Sequence, residues 1–139
     1  MKFEDFIKKS NVRRATPDRN LVRSLINFAK RDIEFLKNLK IEENSSRTIM
    51  VGFYDSLRSL LEAISSLDGY KVYSHEAFVY FLRDRNEDIL AEKFDRYRKI
   101  RNSIRYYGKD ISIEDTKVIV EEIKRMIDYL IGKYLEEFK

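Results

Sequence analysis

One segment of the chain, residues 93–109, concentrates the side chains that can bind a negatively charged group. It holds seven lysines or arginines and one acid, so it carries a charge of +6 in a chain whose net charge is +4. Guanidinium groups bind phosphate through paired hydrogen bonds, and tyrosine and asparagine add contacts to phosphates or bases. The candidate residues for contacts to a phosphate or a base are Arg98, Arg101, Asn102, Arg105, Tyr106 and Tyr107.

Apolar residues recur through the same segment at the spacing of an α-helix. Successive members are three, four and three residues apart, which predicts one stripe that packs against a core. Arg101 lies at the margin of this stripe, where its stem is covered and its charged head is held in position. The glycine that follows the last member is a typical helix stop. The stripe consists of Tyr97, Ile100, Ile104 and Tyr107.

The same residues also suit two simpler interpretations. A basic helix face is often only solvated, and tyrosine and arginine are both favoured at subunit interfaces. Tyr106 lies away from the apolar stripe and one helical turn from Asn102. It therefore suits a phosphate contact, a base contact or a subunit contact.

The one histidine of the chain, His75, falls in the first turn of a predicted helix. A histidine that acts as a general base needs a partner that orients its ring. The sequence indicates no such partner, so we expect His75 to make a turn or cap contact.

The segment from Arg101 to Gly108, Arg-Asn-Ser-Ile-Arg-Tyr-Tyr-Gly, resembles the motif of the HEPN domain family (higher eukaryotes and prokaryotes nucleotide-binding). That motif is an arginine, often followed by asparagine, with a histidine a little more than one helical turn later. Arg101 and Asn102 match its first two positions, whereas Tyr106 stands where the histidine usually is. Three other segments also resemble the family: Pro17-Asp18, Leu-Leu-Glu-Ala at 60–63, and the turn from Gly69 to His75.

The resemblance implies a homodimer that binds nucleotide or RNA. Catalytic members of the family are mostly ribonucleases, in which two copies of the motif meet across a dimer cleft and cleave RNA without a metal. There the arginine stabilises charge on the phosphate and the histidine moves protons. A free tyrosine titrates near ~10 and is a poor base at neutral pH. The resemblance therefore favours a non-catalytic or degenerate binding module, with a minimal nucleotidyltransferase as a possible partner.

Two alternatives stay open. The chain could be a metal-independent ribonuclease toxin of a toxin–antitoxin pair, with Arg101 and Tyr106 as catalytic residues or with Tyr107 in place of the histidine. Some toxins of the family carry a modified tyrosine two residues after the histidine, where this chain has Gly108. The other alternative is a helical dimerisation or adaptor domain whose basic face pairs with an acidic protein.

Hydrophobic periodicity predicts an all-α fold: an antiparallel up-and-down four-helix bundle with a short N-terminal helix. We expect one domain over residues 1–139, with an N-terminal arm at 1–15 and the bundle at 16–139. The predicted helices span residues 2–9, 16–38, 48–67, 75–84 and 89–107, and a last one opens at Ser112.

Gly52, inside the second long helix, marks a close approach of a neighbour or is merely tolerated. No period-two alternation indicates a strand. The buried stripe predicted for the first long helix is Leu21, Leu25, Phe28, Ala29, Ile33, Leu36 and Leu39.

The composition argues against several other classes of protein. The chain has no cysteine and a single histidine, which disfavours disulfides and zinc sites. It has no glycine-rich phosphate loop and no apolar run long enough to cross a membrane. We expect a cytoplasmic protein that needs no cofactor or metal.

Overall fold

The computed structural model describes residues 1–138 and is mostly helical, which confirms the predicted class. The up-and-down four-helix arrangement stays a prediction. The elements are α1 (Phe3–Lys8), β1 (Val12–Arg14), α2 (Arg19–Lys37), α3 (Ser46–Leu67), β2 (Tyr70–Val72), α4 (His75–Asp84), α5 (Asp88–Tyr107), α6 (Ile113–Tyr134) and a 3₁₀ turn (Glu136–Phe138).

Helix α3 lies at the centre of the core and packs against α2, α5 and α6. It buries apolar or small residues on most of its circumference, including Leu57, Leu60 and Leu61, because it has neighbours on several sides. Gly52 is a point of close approach: a Cβ atom there would lie 2.9 Å from the methyl groups of Leu36 on α2. The glycine therefore lets α2 and α3 pack closely at this point.

The face of α2 that packs on α3 differs from the predicted one. Val22, Ile26, Ala29 and Leu36 are buried, whereas Phe28 is 56% exposed and Leu21 and Leu39 are also exposed. The helix carries two adjacent apolar stripes, and the prediction mixed residues from both. Only one of these stripes can face α3, and the sequence of α2 alone does not say which.

A small antiparallel sheet corrects the prediction that the chain contains no strand. β1 pairs with β2, with Val12 opposite Val72 and Arg14 opposite Tyr70. Each strand has three residues, too few for period-two alternation to be recognised. The sheet ties the N-terminal arm to the segment that leads into α4, and Phe3 of α1 packs against the core.

The first turns of two helices show which residue caps each of them. Helix α6, which was predicted to open at Ser112, is capped by that residue, because the Asp115 N–H donates to Ser112 Oγ at 3.0 Å. Helix α2 was expected to begin near Thr16, but its cap is Asp18, which accepts a hydrogen bond from the Leu21 N–H at 3.0 Å. The N–H groups in the first turn of a helix have no partner within the helix, and a side-chain oxygen can reach them only from the residue directly before that turn. Thr16 lies too far upstream of Arg19, the first residue of α2.

Glu87, in the turn between α4 and α5, joins that turn to α6. Its side chain is 8% exposed and accepts hydrogen bonds from Tyr129, Lys133 and Tyr134, each at 2.8 Å. Burial by itself raises the pKa of Glu87, but the hydrogen bonds from these three residues outweigh it, so the pKa lies below its ordinary value. The carboxylate therefore stabilises the fold in its charged form.

We expect Glu87→Gln to lower the free energy of unfolding at pH 7 by roughly 2 kcal/mol, since it weakens three hydrogen bonds to a buried group. The contribution of Glu87 is present above its unfolded pKa, near ~4.3, and is lost as pH falls through the lower folded value. Urea unfolding at pH 7 and at pH 3 measures both effects. Glu121→Gln, at an exposed glutamate paired with Lys124, is the control and should cost less than about 1 kcal/mol. Equal losses in the two variants would contradict this role.

Candidate functional site

A small open cavity lies where the start of α4 meets the C-terminal half of α5. Its volume is about 270 Å³. It contains four of the six residues that the sequence proposed for binding, together with the one histidine. The lining residues are Ser74, His75, Glu76, Arg98, Arg101, Asn102 and Tyr106.

Buried aromatic residues set the rotation of α5, and this directs its polar face towards the cavity. Phe94 and Tyr97 are fully buried, and the Tyr97 hydroxyl donates to Glu122 Oε1 of α6 at 2.7 Å. Residues 101 and 102 follow residue 98 by three and four positions, so both lie beside it on one side of the helix. Gly108 then ends α5 in the left-handed conformation, with a φ of 64°, as the sequence predicted.

Arg101 is the half-buried cation of this cavity, and within residues 1–138 it forms no ion pair. Its guanidinium has only weak polar partners, at 3.3 Å from Asn102 Oδ1 and 3.5 Å from Tyr106 Oη. The Cζ atom lies 5.8 Å from the ring centroid of Tyr54 and 5.7 Å from that of Tyr106. Its Nε is buried and has no hydrogen-bond partner among the described residues. A desolvated cation without a counter-ion favours the binding of an anion.

The other charged residues of the cavity differ from Arg101. Arg98 is compensated, because its guanidinium donates to Asp95 Oδ1 at 2.7 Å. Glu76 also lines the cavity, and its carboxylate restricts where an anion can lie. Arg101 is therefore the arginine of the cavity that is available to a ligand.

His75 is held by a hydrogen bond to a residue of the core. Its Nδ1 lies 3.0 Å from the hydroxyl of Tyr54, a fully buried residue of α3. Burial and then the charges of Arg58, Arg101 and Arg98 lower the pKa of His75 to about 4. The imidazole is therefore neutral at pH 7.

His75 was expected to make a turn or cap contact, and this was wrong, because its ring contacts a residue of the core instead. That residue, Tyr54, lies 21 residues away in the chain and on a different helix. One signal was available in the sequence: a tyrosine within a fully buried stripe carries a hydroxyl that must find a partner. The sequence does not indicate that this partner is His75.

Two of the six predicted binding residues lie outside the cavity. Arg105 lines a separate groove together with Arg47 and Asp55. Tyr107 was predicted to belong to the buried stripe of α5, but it is 76% exposed. The stripe prediction is wrong at this end, because Ile104 is already only half-buried and the last residues of the helix extend beyond the core. Tyr106, which was predicted to lie away from the core, is 69% exposed.

No protein-family model matches this chain, and neither the curated proteins nor the solved structures contain a match. The similarity to HEPN domains therefore rests on the residues quoted above. Among residues 1–138, no group of three or more acidic, histidine or cysteine side chains is placed to hold a metal ion. No helix in the same range has the length and apolar character needed to span a bilayer.

We expect the ring of His75 to titrate near pH 4, and its pKa to rise in Arg101→Gln because one of the cations that disfavour the charged ring is removed. Burial remains, so the pKa does not return fully to that of a free histidine. NMR titration measures it directly, because the chain has one histidine. Arg125→Gln, at an exposed arginine of α6, removes the same charge at another surface and should leave the pKa unchanged. An ordinary pKa that is insensitive to Arg101→Gln would contradict the described site.

Proposed function

We propose that this protein binds the phosphate of a nucleotide or of RNA in the cavity between α4 and α5, with Arg101 as the principal anion ligand. One observation carries the proposal: the Arg101 guanidinium is half-buried, has no carboxylate partner among the described residues and lies against two aromatic rings. Guanidinium groups bind phosphate oxygens through paired, charge-assisted hydrogen bonds.

The neighbours of Arg101 supply contacts for the rest of a nucleotide. Tyr106 has an exposed ring, and exposed aromatic rings stack with unpaired bases. The Asn102 amide both donates and accepts hydrogen bonds. These properties support single-stranded RNA or a free nucleotide as the ligand, because the bases of a duplex are already stacked and paired.

The size of the cavity supports the same class of ligand. About 270 Å³ is smaller than the sites that enclose whole cofactors, and the cavity is open to solvent. It suits a phosphate with part of its sugar, while the remainder of the strand lies across the surface. The surrounding basic segment favours the approach of a polyanion.

The resemblance to the HEPN family supports further parts of the proposal. Under it, the long helices form the antiparallel bundle of that family, two copies form a dimer, and a minimal nucleotidyltransferase is a partner in the cytoplasm. Because Tyr106 stands where the family usually has a histidine, the binding of RNA is favoured over its cleavage by the family motif.

We expect Arg101→Gln to weaken binding of a single-stranded RNA oligonucleotide by about tenfold or more, which is the cost of losing a charge-assisted contact. The slope of log K against log salt concentration should fall by roughly one, since one phosphate contact is lost. Fluorescence anisotropy at several salt concentrations measures both quantities. Arg125→Gln is the matched control and should change the affinity less than about twofold. Equal weakening in the two variants would mean that only net charge matters.

The exposed face of α2 favours self-association as a second property. Leu21, Leu25, Phe28, Phe35 and Leu39 follow a heptad spacing, with Asp32 at the one polar position. Phe28 and Phe35 are more than half exposed, at 56% and 66%. Exposed apolar stripes of this kind are typical of helix–helix interfaces.

Charge complementarity supports a second copy of the chain as the occupant of this face. The stripe has one polar position, Asp32, and Arg31 precedes it directly in the chain. In an antiparallel pair of α2 helices that cross near these positions, the acid of each copy can lie close to the cation of the other.

We expect the double variant Phe28→Ser, Phe35→Ser to be monomeric and the wild-type protein to be dimeric in analytical ultracentrifugation. The fold should persist because both rings are exposed, and circular dichroism checks this. Ile89→Ser, at an apolar residue of α5 that is 72% exposed, is the control and should remain dimeric. A monomeric wild-type protein at micromolar concentration would contradict this interface.

A further inference from the structure

We infer that the ligand of the cavity between α4 and α5 is a single strand of RNA rather than a free nucleotide, and that this strand continues across the outer face of the small sheet. The inference rests on the proposed binding of a phosphate by Arg101. It adds a second contact surface, which we call the sheet face and which consists of Arg13, Lys71 and Tyr73.

The pairing of the two strands places these three side chains together. Val12 and Val72 lie opposite each other and are buried, so the residues next to them in the chain point outward. These outward residues are Arg13, Lys71 and Tyr73. The Arg13 Nε donates to the Tyr73 hydroxyl at 2.8 Å, so the two side chains share one face of the sheet.

Tyr73 presents an aromatic ring to solvent in a fixed position. The residue is 56% exposed. Its N–H donates to the carbonyl oxygen of Asn11 at 2.8 Å, and its hydroxyl accepts the hydrogen bond from Arg13. A ring that is exposed and already held in place loses little freedom when an unpaired base stacks on it.

Arg13 is an exposed cation that pairs with no carboxylate within residues 1–138. Its hydrogen bond to Tyr73 uses Nε, so no partner among the described residues occupies its two terminal nitrogens. A guanidinium offers these donors in a planar fork that fits phosphate oxygens. Arg13 is therefore placed to contact a phosphate next to a base that stacks on Tyr73.

Two residues of α3 connect the sheet face to the cavity. Glu62 accepts hydrogen bonds from Lys71 Nζ at 3.2 Å and from the Arg58 guanidinium at 3.1 Å. After burial, the charge of Arg58 contributes most to the lowered pKa of His75, so Arg58 lies close to the cavity. One carboxylate here faces two cations, and this group of three keeps a net positive charge. The cationic surface of the cavity therefore continues to the sheet face.

The backbone limits the distance between the two surfaces. Tyr73 directly precedes Ser74 and His75, which line the cavity. Successive Cα atoms are about 3.8 Å apart, so the Cα atoms of Tyr73 and His75 lie within roughly 8 Å of each other. A strand of a few nucleotides spans such a distance, whereas a free nucleotide bound at Arg101 leaves Tyr73 unused.

The sheet face fits RNA better than it fits an acidic protein. An acidic peptide satisfies Arg13 and Lys71 but makes no use of the exposed ring between them and the cavity. Unpaired bases stack on aromatic side chains while the neighbouring phosphates contact cations. The combination of an exposed ring with cations therefore favours a single strand.

The test compares single-stranded RNA of about three nucleotides, which fits the cavity, with RNA of about ten nucleotides, which also covers the sheet face. Fluorescence anisotropy measures both affinities. We expect Tyr73→Ala and Arg13→Gln each to weaken binding of the longer RNA by about fivefold or more, and to change that of the shorter RNA less than about twofold. Arg13→Gln should also lower the salt slope by roughly one for the longer RNA only.

Matched controls separate stacking from charge. Tyr73→Phe keeps the ring and should bind the longer RNA within about twofold of the wild type. Arg125→Gln removes the same charge as Arg13→Gln at another surface and should bind both RNAs like the wild type. Polyglutamate at equal charge concentration should displace the longer RNA poorly, because it has no bases. The replaced side chains are exposed, so the variants should keep the fold, and circular dichroism checks this.

The outcomes separate this inference from the proposed function. Dependence on Arg101 without any effect of Tyr73→Ala or Arg13→Gln overturns the strand path and leaves phosphate binding intact. Equal weakening in Tyr73→Phe and Tyr73→Ala, or displacement by polyglutamate as efficient as that by RNA, also overturns it. If the wild-type protein binds neither RNA, or if Arg101→Gln binds both like the wild type, the proposed function fails and the strand path fails with it.

Discussion

The buried hydroxyl of Tyr54 requires a hydrogen-bond partner, and this requirement links the core of the protein to its candidate site. Tyr54 lies on the central helix α3 and is shielded from water, so an unsatisfied hydroxyl there would be costly. Its partner is His75 at the start of α4, and its ring contacts Phe94 and the guanidinium of Arg101 on α5. One side chain of α3 thus contacts both α4 and α5, including the two polar groups that face the cavity.

The distribution of ion pairs explains why a single arginine stands out in a segment with so many cations. Arg98 and Lys99 both pair with Asp95, and Arg96 pairs with Glu122 of α6. These pairs reduce the charge of the segment locally and account for three of its seven cations, including Arg98, the other arginine of the cavity. Arg101 has no such pair within the described residues, and its stem is covered. Arg101 is thus available to an anion because its neighbours are paired with acids, and not only because it carries a guanidinium group.

The sequence could predict features that depend on the near neighbours of a residue in the chain. The bounds of α4, the left-handed stop at Gly108 and the Ser112 cap each depend on a few adjacent residues. Most of the stripe of α3 was also predictable, because a helix with apolar residues on several sides must be central. The small sheet could not be found in this way, since its two strands of three residues pair across more than fifty positions of the chain.

The sequence by itself determined the helical class, the approximate limits of the long helices and the cationic segment that carries Arg101. These properties follow from periodicity and composition, which are local. Only the tertiary structure decided which stripe of α2 is buried, that Arg105 and Tyr107 lie apart from Arg101, and that His75 lies beside it with Tyr54 as its partner. Such relations depend on how helices that are distant in the chain rotate and pack against one another. The pattern of any one helix is compatible with several such rotations, and burial of the whole core selects one.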